Sequence, residues 1–150
     1  MPYNILLIGE FAIDETIYGN VTRICPEAPV PVFVPKRQVL NDGMAGNVHN
    51  NLLSLSNNQV KIDFIRPRLD IIKRRFVDET SGYLLLRVDE DNNDDTFDML
   101  SFELEYLDRV KYDFCVISDY HKGFLDKDDI AQIAAKCKSR SIPTILDTKK

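Results

Sequence analysis

Three short apolar runs, each closing on a glycine or a polar residue, constrain the fold of this chain more than any other feature. Ile5-Leu6-Leu7-Ile8 ends at Gly9, Phe114-Cys115-Val116-Ile117 ends at Ser118-Asp119, and Ile142-Pro143-Thr144-Ile145-Leu146 ends at Asp147. Apolar residues in succession, without alternation, suit strands covered on both faces, and such strands lie at the centre of parallel sheets. Parallel neighbours need crossovers, and helical spacing occurs where crossovers are required. Asp126 can cap a helix in which Ile130, Ile133, Ala134 and Cys137 fall three and four apart, with Lys136, Lys138 and Arg140 near its C-terminal end. An earlier helix is predicted through Ala45, Val48, Leu52 and Leu55, and another through Phe97, Leu100, Leu104 and Leu107. The order strand, helix, strand is the α/β pattern.

Two stretches depart from it. From Thr16 to Leu40 and from Lys73 to Asp89, β-branched and aromatic residues dominate without helical period. Val30-Pro31-Val32-Phe33-Val34-Pro35 cannot be a central strand, because its prolines donate no ladder hydrogen bond; an edge or a separate small sheet is predicted. Phe76 to Val88 reads as a hairpin turning near Ser81-Gly82.

At 150 residues, 44% hydrophobic and 29% charged, the chain suits a single cytoplasmic domain with its own core. No apolar run approaches the roughly 20 residues of a membrane span, and no secretory signal pattern opens the chain. The net charge of −5 argues against a nucleic-acid partner, although a local basic pocket could take a small anion. Cys25, Cys115 and Cys137 are odd in number and far apart, so all three are expected as free thiols. His49 and His121 have no acid or cysteine at metal-ligand spacing and receive no catalytic role. Lys61, Arg66, Arg68, Lys73, Arg74 and Arg75 cluster in residues 61–75, while residues 89–98 form an acidic run expected to be a solvated turn before a helix.

Asp14 stands just beyond the first predicted strand, where open α/β sheets bind ligands, and a carboxylate there can take two hydroxyl protons of a polyol. A surface acid or turn cap is the plainer alternative. The glycine-rich segment Asp42-Gly43-Met44-Ala45-Gly46-Asn47-Val48 leads into the first helix and lets a ligand approach the backbone at a helix N-terminus. Asn47 is equally readable as that helix's cap. Arg87 can meet a phosphate or carboxylate with a bidentate fork, or simply be solvated on its strand.

Gly-Glu-Phe-Ala-Ile-Asp at Gly9–Asp14, followed by Thr22-Arg23-Ile24-Cys25-Pro26-Glu27-Ala28-Pro29-Val30-Pro31-Val32, resembles the opening of the ribokinase-like, phosphofructokinase-B type sugar kinases. Within that family it is most similar to the heptose-7-phosphate kinase domain of bifunctional ADP-heptose synthesis proteins, which act toward a lipopolysaccharide precursor. Gly43, Asn47, Val48, Asn51 and Leu52 match the family's Gly-Gly-Ala-Ala-Asn-Val-Ala-x-Asn-Leu, with Met44 in place of its second glycine and His49 in place of a small residue. Leu85-Leu86-Arg87-Val88-Asp89 resembles its Leu-Leu-Arg-Val-Asp, and Ser118-Asp119-Tyr120-His121-Lys122-Gly123 its Ser-Asp-Tyr-x-Lys-Gly. Asp147 and Lys149 match an Asp-Pro-Lys segment in which Thr148 replaces proline. The resemblance implies a parallel sheet with flanking helices and a small β lid, here segments of about 14–40 and 73–89, within one partial domain over 1–150. It implies substrate binding by Asp14, Gly43, Asn47, Arg87, Asp119 and Lys122, a sugar phosphate as ligand, and a homodimer through the lid.

The chain is shorter than the family inside and at its C-terminal side. Ser56 to Ile65 compresses a longer family stretch, and the Gly-Ala-Gly-Asp and Asn-x-x-Glu segments of the nucleotide-binding half are absent from these 150 residues. No Gly-x-x-x-x-Gly-Lys-Ser/Thr loop replaces them. ATP and Mg are therefore implied by the family and not expected to be bound by this chain alone, and no catalytic or metal residue is assigned. Three readings stay open: a substrate half completed by a separate chain that supplies the nucleotide half; a non-catalytic sugar-phosphate-binding or dimerisation module; and a degenerate kinase fragment.

Overall fold

The computed structural model describes residues 2–57, 59–91 and 95–149. In chain order the elements are β1 (Tyr3–Gly9), β2 (Phe11–Ile24), β3 (Pro31–Met44), α1 (Ala45–Leu55), β4 (Val60–Ile65), β5 (Ile71–Asp78), β6 (Leu84–Glu90), α2 (Met99–Ser101), a π-helical stretch (Phe102–Leu107), β7 (Phe114–Asp119), α3 (Lys127–Ser139) and β8 (Thr144–Thr148). They divide into two compact units, one of Met1–Ala12, Asp42–Asp70 and Asn92–Lys150, the other of Ile13–Asn41 and Ile71–Asp91.

The first unit is built on a parallel sheet in the order β4-β1-β7-β8. The three apolar runs supply β1, β7 and β8, as expected. Alternate residues of the sheet serve two layers. Ile5, Leu7 and Val116 pack with Val48 and Leu52 of α1, whereas Leu6, Ile8, Cys115 and Ile117 pack with Phe102, Leu107, Ile133 and Cys137. Leu6, Leu7, Ile8 and Ile117 are wholly buried, and each such side chain contributes about 1.5–3 kcal/mol relative to exposure. The cover on both faces explains why β1 and β7 read as unbroken apolar runs, whereas β8 lies at the sheet edge with Ile145 and Leu146 exposed, not at the centre where its apolar run placed it.

The helix expected through Phe97 to Leu107 is shorter and distorted. Phe97 is not helical; Asp98 caps a single turn by accepting the Leu100 and Ser101 N–H groups at 3.0 and 3.3 Å. The chain then widens into the π-helical stretch, closed by the Asp108 N–H on the Glu103 carbonyl at 3.0 Å. Phe97 still packs on Phe102 and Phe124, at ring separations of 5.4 and 5.8 Å. The Leu104 side chain and residues 92–94 of the acidic run lie outside the described residues.

The second unit is a sheet in the order β3-β2-β5-β6, enclosing the segments 14–40 and 73–89. β3, which carries Pro31 and Pro35, lies on its edge, where a missing N–H costs no ladder bond. β5 and β6 form an antiparallel hairpin with Arg75 opposite Arg87 and Phe76 opposite Leu86. Its turn is held by Asp78, which accepts from the Ser81 N–H at 2.9 Å and hydroxyl at 2.6 Å, and by Gly82 at φ 74°. Val34, Tyr83, Leu84 and Leu86 are exposed on this unit.

Candidate functional site

In the first unit, the C-terminal ends of β1 and β7 meet the N-terminus of α1. A Cβ on Gly9 would press into the Ser118 carbonyl group, with its carbon at 3.0 Å, and into the Ala45 Cβ at 3.1 Å. Only glycine lets three backbones approach so closely. The Ala45 N–H donates to the Glu10 carbonyl at 2.9 Å, so the start of α1 is bonded to the residue that leaves β1.

Gly43 is buried at the end of β3, and Met44 forms the N-cap at φ 53°, ψ −129° without a side-chain cap bond. That backbone conformation favours glycine, the residue that Met44 replaces relative to the family segment. Gly46 packs directly against the Phe11 ring, leaving no room for a side chain. Asn47 lies in the first turn of α1 with its side chain exposed; it is not the cap.

Beyond β7 the loop is tightly bound. Asp119 is 1% exposed; its carboxylate accepts the His121 N–H at 2.9 Å and the Thr148 hydroxyl at 2.8 Å, while its carbonyl accepts the Lys149 N–H at 3.1 Å. Asp119 thus already ties β7 to β8. The wholly buried Glu10 carboxylate accepts the Tyr120 and Lys122 N–H groups, both at 2.9 Å. Such charge-assisted bonds are what allow a carboxylate to be buried. The Lys122 side chain is half-buried, and the Lys149 ammonium lies 4.4 Å above the Tyr120 ring.

Ser118 is fully buried, and its hydroxyl is the one buried side-chain polar atom among the described residues without a hydrogen-bond partner. Strand alternation puts its side chain on the same face as Val116, the face covered by α1.

Asp14 and Arg87 belong to the second unit. Asp14 is part of β2, its carboxylate accepting from Arg75 Nη1 at 2.7 Å. Arg87, opposite Arg75, donates to both Asp89 oxygens at 2.6 and 2.8 Å; this pairing is the main cause raising its pKa, with Asp14 and Asp91 adding to it. Beside them, Arg74 bridges Glu15 and Glu90, and the buried Glu15 also accepts from Gln38.

Glu10, Ser118 and Arg75 were not among the residues assigned substrate binding from the sequence. Glu10 follows the buried strand directly and Ser118 ends another, a positional signal that could have found both; the Asp14–Arg75 pairing is set by sheet register and leaves none. A cavity of about 530 Å³ in the first unit, lined by Arg66, Arg68, Phe97, Asp98, Phe102 and Phe124 among others, includes no sequence-predicted site residue. Among the described residues no three His, Cys, Asp or Glu side chains cluster to hold a metal ion. No helix among them is long and apolar enough to cross a membrane.

No protein-family model matches the chain. In sequence it is 31% identical to the bifunctional protein HldE of Syntrophotalea carbinolica and 28% identical to that of a Caulobacter species, over 96% and 97% of this chain and 35% of each relative. The chain thus spans about a third of the length of these curated relatives. The match to the Syntrophotalea protein extends over 173 positions, more than the 150 residues present, so the relative carries residues inside the match that this chain lacks. In structure the chain is similar to phosphofructokinase-2 from Escherichia coli in complex with fructose-6-phosphate, with a TM-score of 0.56 and 14% identity over 100% of this chain and 56% of that one. It is also similar to a carbohydrate kinase from Agrobacterium tumefaciens, at 0.54 and 13% over 96% and 53%. The parallel sheet and its flanking helices thus have the fold of these carbohydrate kinases, and the sequence is similar to part of the bifunctional HldE proteins.

Proposed function

We propose that this chain binds a sugar phosphate of the heptose 7-phosphate class and contributes the substrate-holding part of a carbohydrate kinase. The observation that carries the reading is the buried, unpartnered Ser118 hydroxyl on the α1 side of β7. Leaving such a group unpaired costs about 1–3 kcal/mol, and a polyol ligand would recover part of it. In the same unit, Gly43 lies at the buried end of β3, Asn47 carries an exposed amide, and Lys122, on the loop after β7, carries a cation suited to the anionic end of the ligand. Asp119 acts through the loop it holds. Asp14 and Arg87 of the second unit, whose side chains pair with Arg75 and Asp89, are given substrate binding by the family resemblance alone. The similar Escherichia coli phosphofructokinase-2 was solved with fructose-6-phosphate, which supports the ligand class.

Phosphoryl transfer in this family needs an acid near the substrate hydroxyl and charge stabilisation at the nucleotide phosphates. These 150 residues contain no Gly-Ala-Gly-Asp segment, so the acid, ATP and Mg would be held by residues outside them, whether on the same polypeptide or another. A second reading, self-association through the second unit, is favoured by its exposed Val34, Tyr83, Leu84 and Leu86.

Titration of the full chain with heptose 7-phosphate, and separately with Mg-ATP, followed by amide NMR tests the proposal. Saturable shifts with the sugar phosphate alone are expected, lost in Asp14→Ala with the oligomeric state unchanged. A spectrum indifferent to the sugar phosphate would sink it.

A further inference from the structure

We infer that Glu10 is the positioning residue of this site, holding the Tyr120–Lys122 loop and the start of α1 as one frame. Three contacts carry this. Both carboxylate oxygens are occupied, Oε2 by the Tyr120 N–H and Oε1 by the Lys122 N–H, each at 2.9 Å. The carbonyl of the same residue accepts the Ala45 N–H at 2.9 Å. One fully buried residue therefore joins the end of β1, the first turn of α1 and the loop after β7, segments 35 and 110 residues apart in sequence for Ala45 and Tyr120.

The loop needs such an anchor. His121, between the two anchored amides, has φ 58°, and Gly123 after them has φ 97°. A left-handed backbone at a non-glycine residue is unfavourable by itself and persists where surrounding bonds impose it. The two N–H bonds from Glu10 bracket His121, and the Asp119 carboxylate holds its N–H. Released from Glu10, the His121 backbone would relax, and the Lys122 side chain would leave its fixed origin. Both Glu10 carboxylate oxygens are already bonded to loop N–H groups, so it acts through the loop and not by touching a ligand.

What the loop is positioned for rests on the sugar-phosphate reading; that Glu10 positions it does not, and the experiment separates the two. Amide hydrogen exchange at Tyr120 and Lys122 is measured by NMR in the full-length wild type, Glu10→Gln and Glu10→Asp chains, each then titrated with heptose 7-phosphate. Glutamine turns an N–H donor toward one of the two loop N–H groups, while aspartate keeps the charge on a shorter reach. In Glu10→Gln, exchange at both amides is expected to rise about tenfold or more, with Ile133 and Cys137 in α3 unchanged, and sugar-phosphate affinity to fall about tenfold; Glu10→Asp recovers part of both. Exchange at Tyr120 and Lys122 as slow as in the wild type would overturn the inference, as would freed amides with undiminished affinity. If the wild type itself ignores heptose 7-phosphate, the sugar reading fails and the exchange data alone decide the role of Glu10. Should Glu10→Gln not fold, Glu10→Asp carries the same comparison.

Discussion

Gly9 and Ser118 are register partners on adjacent parallel strands, and the space a Cβ would need at Gly9 is filled by the Ser118 carbonyl. The contact fixes the end of β1 against the end of β7 at the point where α1 begins. Two backbones and a helix start can meet there only because one of the three residues has no side chain. The candidate site inherits its geometry from this approach, since Glu10 and Asp119 are the next residues on each strand.

Gly9→Ala is accordingly expected to destabilise the chain by about 3 kcal/mol or more, because the added methyl meets backbone atoms that cannot rotate away. Urea unfolding monitored by circular dichroism measures it. Gly82→Ala serves as the control: at φ 74° with nothing within 4 Å of the added methyl, it carries only backbone strain, about 1 kcal/mol. Equal losses in the two variants would show that the close approach at Gly9 has been misjudged.

The start of α3 gives a second expectation. Asp126 accepts the Asp129 N–H at 2.7 Å, and Asp129 returns the bond by accepting the Asp126 N–H at 3.0 Å. Asp126→Ala removes the acceptor of an otherwise orphaned N–H and is expected to lower stability by about 1 kcal/mol. Asp126→Asn, which keeps a cap oxygen, should recover most of it. An alanine variant with an unchanged urea midpoint would mean that α3 is held by Ile133 and Cys137 alone.

Much of the first unit was legible because its signals are local. The apolar runs of β1 and β7, the Asp126 cap and the period of α1 each depend on neighbours within a few residues, and in the second unit the hairpin announced itself through Ser81-Gly82. The family resemblance likewise lay in contiguous motifs. The π-helical stretch was not legible, since Phe97, Leu100 and Leu107 keep helical spacing while the backbone widens beneath them. Nor was the bond between Glu10 and the loop 110 residues away, which exists only once β1 and β7 pair. For the same reason Asp14 read as a turn residue after the first strand, whereas it is a strand residue of β2 whose partner, Arg75, is chosen by the sheet.

Stability should fall in acid, and the turn carboxylates say where. Hydrogen bonds from Ser81 hold Asp78 below the usual carboxylate range, those from Ser101 do so for Asp98, and Arg37 does so for Glu79. A depressed folded-state pKa means that the unfolded chain binds more protons in the window between the two values. Stability therefore rises with pH through that window; it is fully present above the ordinary values of 3.8 for aspartate and 4.5 for glutamate, and is lost as pH falls below them. Urea midpoints measured from about pH 3 to pH 7 are expected to be flat above about pH 5 and to decline below. In an Asp78→Asn, Asp98→Asn double variant the decline should be shallower, because two of the groups that take up the extra protons are gone. A double variant that loses stability in acid as steeply as the wild type would remove these two carboxylates as the cause.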